Sequence, residues 1–97
     1  IMNISFTWDS NKYKSNINKH GISFEEARSI FLDQNAIEYY DSDHSEDEDR
    51  FLMLGLSYHV KILLVSYTVR KENNNRIIRI ISARKATKLE QTNYQGK

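Results

Sequence analysis

The sequence predicts an α+β domain: an antiparallel sheet of four to five strands packed against an N-terminal helical hairpin, closed by a short C-terminal helix, in the order β-α-α-β-β-β-β-α. Three observations predict it. Helical periodicity and capping signals are confined to two stretches, residues 9–31 and 87–94. Between them lie runs rich in β-branched and aromatic residues, which suit a pleated, half-buried surface. The links between those runs are short, so sequential strands are expected to pair antiparallel.

In chain order, Asn3-Ile-Ser-Phe-Thr-Trp8 alternates, putting Ile4, Phe6 and Trp8 on one face of a short strand. Asp9 or Ser10 then caps a helix running to about His20 and stopping at Gly21, where left-handed geometry is easily adopted. Tyr13, Ile17 and His20 form its expected inward stripe, beside a polar row of Lys12, Asn16 and Lys19. Ser23-Phe-Glu-Glu26 has the form of a capping box, and Phe24, Ala27, Ile30 and Phe31 make the second helix amphipathic. Ala36–Tyr40 reads as a short aromatic strand, residues 41–50 as an acidic loop, and Phe51–Ser57 as the next strand. Lys61–Arg70 is the longest apolar run and reads as a central strand, followed by a hairpin loop over Lys71–Asn75.

The last strand, Arg76–Arg84, carries four isoleucines in its first seven residues. Strict alternation sends Ile77, Arg79, Ile81 and Ala83 to one face and Ile78, Ile80, Ser82 and Arg84 to the other. Thr87-Lys-Leu-Glu90 is a further capping box, opening a helix of roughly two turns with Glu90 and Tyr94 on one face. That helix is expected to bring Tyr94 back over the arginines at the strand end.

A chain of 97 residues fits one domain spanning 1–97 with a single modest core. The absence of cysteine excludes a disulfide framework and a cysteine-based zinc site. No apolar run approaches the roughly 18 residues of a membrane-spanning helix, and the N-terminus lacks a secretory pattern, so a cytoplasmic location is expected. Ile1 precedes Met2, which suggests that the natural chain starts at Met2.

The formal charge of +1 conceals an asymmetry. Residues 41–50 hold six acids and one base; outside them thirteen basic residues face seven acidic ones, a charge of +6. Such a balance suits either a solvated surface or one that meets phosphate or an acidic partner. The acidic loop itself is no EF-hand, because Glu46 stands where the turn needs glycine and Leu52 where a bidentate glutamate is needed. His44 with Asp41 or Asp43 offers metal-type ligands, but the loop reads better as a solvated turn that holds Arg50 or shields the basic face. No metal or cofactor is expected.

Taken together, Phe6-Thr-Trp-Asp9, Lys12, Asn16, Lys19-His-Gly-Ile-Ser-Phe-Glu-Glu-Ala27, Asp41-Ser-Asp-His-Ser45, Glu48, Arg50-Phe51, Arg79-Ile-Ile-Ser-Ala-Arg84, Ala86-Thr87, Glu90 and Tyr94 resemble the BrnT family, in the same order and over nearly the whole chain. Lys85 and Lys88 stand where that family would have a denser arginine run, and Gly96-Lys97 follow closely. The resemblance implies a RelE-like fold, a ribonuclease toxin of a type II toxin–antitoxin system that inhibits translation, a BrnA-type antitoxin as partner, and contact with DNA only indirectly through the antitoxin complex.

Cleaving RNA through its own 2′-hydroxyl calls for a base at that hydroxyl, cations around the phosphate and an acid for the leaving 5′-oxygen, with no need for metal. Arg70, Arg79 and Arg84, near the ends of neighbouring strands, could supply the cations. At a helix C-terminus His20 favours its protonated form and so an acid role or a fixed charge, while Lys19 or Tyr94 could orient the nucleophile or bind phosphate. Lys12, Lys85 and Lys88 are the expected substrate-binding lysines. Each residue also has a structural reading: His20 as a packed cap, Arg79 paired with a carboxylate such as Glu38, Tyr94 packed between helix and sheet. The competing function is a non-catalytic basic module that docks an acidic partner or joins a DNA-bound complex. An enzyme of the first kind cuts RNA and spares DNA, whereas the module binds both and cuts neither.

Overall fold

The computed structural model describes residues 3–95; the expectations about Ile1, Met2, Gly96 and Lys97 lie outside them. Five strands, β1 (Asn3–Trp8), β2 (Ile37–Tyr40), β3 (Arg50–Leu56), β4 (Ile62–Glu72) and β5 (Asn75–Lys85), form one sheet in the order β1-β5-β4-β3-β2. Helices α1 (Ser10–His20) and α2 (Phe24–Ser29) pack on one face, and α3 (Lys88–Gln95) contacts β3. The α+β class and the element order match the expectation. The sheet does not: it is mixed, because β1 pairs parallel to β5. Short links force β2, β3, β4 and β5 into antiparallel neighbours, but β1 is separated from them by the helical hairpin and is free to add to the outer edge of β5 in the opposite sense.

The local signals explain the helix ends. Asp9 Oδ2 accepts from Lys12 N at 3.0 Å, and Gly21 ends α1 at φ 67° with its N–H donating to Ile17 O. Ser23 Oγ accepts from Glu26 N at 3.0 Å to open α2, after which Ile30–Leu32 tighten into a 3₁₀ turn. The core lies between these helices and the sheet, built from Ile22, Phe24, Ala27 and Ile30 against Leu63, Val65, Tyr67, Ile78, Ile80 and Ala83. Phe31 locks it edge-to-face against Phe6 and Tyr67, with ring centroids 5.1 and 4.9 Å apart. The turn between β4 and β5 is shorter than expected: Lys71, Glu72 and Asn75 join the ladder, leaving Asn73 at φ 57° as the left-handed residue.

The stripe expected on α1 is rotated. Tyr13 is half-buried and Ile17 and His20 are exposed, while Asn16, placed by the sequence in the polar row, is the buried residue of this helix. Its side chain donates to Ile22 O (2.9 Å) and Ala83 O (2.8 Å) and accepts from Ala83 N (3.0 Å). A buried amide is tolerated because these bonds satisfy it, and they pin α1 to β5.

Candidate functional site

The face of the sheet away from α1 and α2 gathers charged and polar side chains along a groove. Its make-up depends on one irregularity: between β4 and β5 the register slips, so that Ser66 faces Ser82 while Tyr67 faces Ile80, and Ile81 is the extra residue. A bulge of this kind re-aims the side chains beyond it. Strict alternation placed Arg79 and Arg84 on opposite faces. With Ile81 inserted, Ala83 joins Ile78 and Ile80 in the core, and Ser82 and Arg84 share the open face with Arg79.

Across that face Arg50, Thr68 and Arg79 stand in one row, Leu52, Ser66 and Ser82 in the next, then Leu54, Leu64 and Arg84. A groove follows these rows, lined among others by His20, His44, Arg50, Ser66, Ser82 and Arg84, with Asp41 and Asp43 along it. Each histidine is held by its surroundings. His20 ends α1, one turn after Asn16 fastens that helix to Ala83 beside Arg84. His44 Nδ1 lies 3.0 Å from Asp41 Oδ2; with the proton on Nδ1 the ring donates to the carboxylate and keeps its other nitrogen as an acceptor. The loop carrying His44 is fastened at its base, where Arg50 N donates to Ser45 Oγ (2.9 Å) and Ser45 Oγ donates to Asp41 O (2.6 Å).

The arginines differ in how they are engaged. Arg84 makes a two-pronged contact with Glu90, Nη1 to Oε1 at 2.9 Å and Nη2 to Oε2 at 3.0 Å. Glu90 also accepts from Thr87 N at 2.8 Å, completing the capping box read from the sequence. These bonds hold the Glu90 carboxyl below its ordinary range, led by the guanidinium. Arg79 pairs with Glu48 at 3.0 Å and Arg70 with Glu72 at 3.0 Å. The alternative of an Arg79 to Glu38 pair is excluded, since Glu38 accepts from the Tyr67 hydroxyl on the other side of the sheet. Arg50 is engaged differently: its Nε is buried and has no hydrogen-bond partner among the described residues, which is also true of Arg76 Nε.

The sequence-predicted residues fall into several places. His20 and Arg84 meet in the groove. Arg70 and Arg79 meet in a neighbouring hollow with Thr68 and Glu48, and Arg79 also borders a cleft with Lys12, Asp9 and Ser15. Lys19 is exposed on the last turn of α1. Lys85 lines a separate groove with Leu56 and Val60, and Lys88 is exposed at the start of α3. Tyr94 does not line the groove of Arg84: its hydroxyl donates to Asp33 Oδ2 at 2.6 Å, and the same oxygen accepts from Leu56 N at 2.8 Å. Partial burial and that carboxylate push the Tyr94 hydroxyl up to about 12, so it keeps its proton at neutral pH.

Sequence reading missed His44, Arg50, Ser66 and Ser82 as groove residues. His44 and Arg50 were absorbed into the acidic loop, although a histidine and an arginine bracketing a charged loop were a usable signal. The serines gave none, because only the pairing register brings them together.

Comparisons with known proteins fit this architecture. Residues 8–90 match the family described as "Ribonuclease toxin, BrnT, of type II toxin-antitoxin system". Among solved structures, the crystal structure of the Brucella abortus ribonuclease toxin BrnT superposes with a TM-score of 0.62 at 22% identity, covering 91% of this chain and 100% of that one. No curated protein matches.

Proposed function

The chain belongs to the BrnT family of ribonuclease toxins of type II toxin–antitoxin systems, and from that premise we propose that it cuts RNA by attack of the 2′-hydroxyl on the adjacent phosphate, without a metal, in the groove between His20 and His44. The observation that carries the reading is the gathering of two histidines and two arginines along one open groove. His44, its tautomer set by Asp41, takes the proton of the 2′-hydroxyl. The 2′-oxygen attacks phosphorus as the bond to the 5′-oxygen breaks, leaving a 2′,3′-cyclic phosphate and a free 5′-hydroxyl. His20, at the negative end of the α1 dipole, gives its proton to the departing 5′-oxygen. Arg50, which lines the groove, and Arg84, fixed by Glu90, stabilise the charge gathering on the phosphate. Arg70 and Arg79 on the neighbouring strands β4 and β5, with Lys12 and Lys19 on α1, extend the cationic surface. The sheet with its helical hairpin is read as RelE-like, and a BrnA-type antitoxin as the neutralising partner in the cytoplasm.

The test is cleavage of a labelled single-stranded RNA in EDTA, beside a copy methylated at every 2′-oxygen. Cutting that persists in EDTA and vanishes on the methylated copy is expected. His44→Gln and Arg50→Ala should each lower the rate by about 10²-fold or more. Loss of cutting in EDTA overturns the metal-free mechanism; full activity in both variants overturns the site. If neither free RNA nor RNA on translating ribosomes is cut, the basic surface is a binding module.

A further inference from the structure

A second groove lies beside α3, shares no lining residue with the first, and has a different make-up. Leu56, Val60 and Ile62 give it an aliphatic floor, flanked by Lys61, Lys85 and Gln91. Val60 is 79% exposed and Leu56 38%, so the apolar surface faces solvent. Val60 is also held at φ 61°, its N–H donating to Ser57 O at 2.9 Å. A β-branched residue in left-handed geometry is strained, and glycine or asparagine would close the same turn without strain. At 79% exposure the Val60 side chain adds little to the core in return for that strain.

The charges say what covers it. On the open face Arg70, Arg79 and Arg84 each meet a carboxylate of this chain, whereas Lys61 and Lys85, like the other described lysines, form no ion pair among the described residues, and these two flank one apolar floor. We propose that the groove of Leu56, Val60 and Ile62 docks an acidic amphipathic segment of a partner protein, its apolar side chains on the floor and its carboxylates on Lys61 and Lys85. An RNA strand fits less well: single-stranded nucleic acid is bound through aromatic stacking platforms, and no aromatic ring lines this groove. Aliphatic anchors with a charged rim are the marks of a helix laid in a groove. In a type II system the partner is the antitoxin, and to that extent alone the assignment rests on the family reading; the surface itself does not depend on the ribonuclease site.

The test is an amide-resolved titration of the labelled full chain with a short synthetic peptide carrying leucines on one helical face and glutamates along its flanks, with a lysine-flanked counterpart and a single-stranded RNA as comparisons. The glutamate peptide should shift the amides of Leu56, Val60, Ile62, Lys85 and Gln91, and the lysine peptide should not. Lys61→Glu should weaken binding roughly tenfold. Val60→Gly should raise Tm and still lose affinity, a combination that misfolding cannot produce. Equal binding of both peptides, unchanged affinity in Val60→Gly, or RNA shifting these amides in place of the peptide overturns the proposal. Cleavage measured on the same variants keeps the two readings apart: it should be unchanged in Lys61→Glu and Val60→Gly, and if no variant cuts RNA the docking result still stands.

Discussion

Asn16 shows how one side chain links stability to the site. It satisfies both backbone groups of Ala83 from a neighbouring helix, at the point where the bulge turns Arg84 outward. Asn16→Leu removes those bonds and strands a buried N–H and C=O, which should cost about 3 kcal/mol in urea denaturation. At temperatures where the variant is still folded, His20 should sit less firmly over the groove, and cleavage should fall further than the folded fraction. Glu90 is a second such residue, and its effect has a sign. Its folded pKa is depressed, so its contribution is complete above the ordinary value near about 4.3 and is lost as pH falls through the lower folded value. Tm measured against pH should therefore show a larger acid-side drop for the native chain than for Glu90→Gln, which keeps an acceptor for Thr87 N. Parallel curves would mean that the Arg84 contact carries no net stability.

At the scale of elements, α3 is a clasp. Its N-terminus is fixed by Thr87 and Glu90, and Tyr94 ties its other end to Asp33, the carboxylate that also receives Leu56 N. Tyr94→Phe should cost about 1.5–3 kcal/mol of stability, the range of a hydrogen bond to a charged acceptor, while leaving cleavage per folded molecule close to native. A large loss of rate at unchanged stability would return Tyr94 to the chemistry. The elements themselves were legible because each carries a local signal: the Asp9 and Ser23 caps, Gly21, the Thr87 to Glu90 box and the isoleucine run all act within a few residues. What was not legible depends on partners distant in sequence. No local pattern tells that β1 pairs parallel to β5 or that Ile81 is an extra residue, and the second fact sets which arginines share a face. The burial of Asn16 was hidden in the same way, since its partner Ala83 lies sixty-seven residues along the chain. The Arg84 to Glu90 pair was within reach of the sequence, being six residues apart across a strand-to-helix turn.

For the molecule as a whole, the question is why a surface proposed to meet RNA carries an acidic segment beside it. Glu48 occupies Arg79, and Asp41 and Asp43 line the groove that holds Arg50 and Arg84. Residues 41–49 thus bring six negative charges against a remainder of the chain that is otherwise strongly basic. An approaching phosphate must displace Glu48 from Arg79 or approach beside it, and every acid near the groove lowers the local potential. Single exposed pairs such as Arg79 with Glu48 contribute little to folding, about 0–1 kcal/mol, so the segment can be neutralised without unfolding the domain. Replacing Asp47, Glu48 and Asp49 by their amides should leave Tm nearly unchanged and tighten RNA binding, with the gain greatest at low salt and shrinking as salt screens it. The slope of log affinity against log salt should steepen as Arg79 is freed to contact phosphate, by about one unit for each phosphate newly neutralised. Binding measured at several salt concentrations decides it: an unchanged slope with unchanged affinity would show that the acids are a solvated turn, and that the basic face meets its substrate without competing for it.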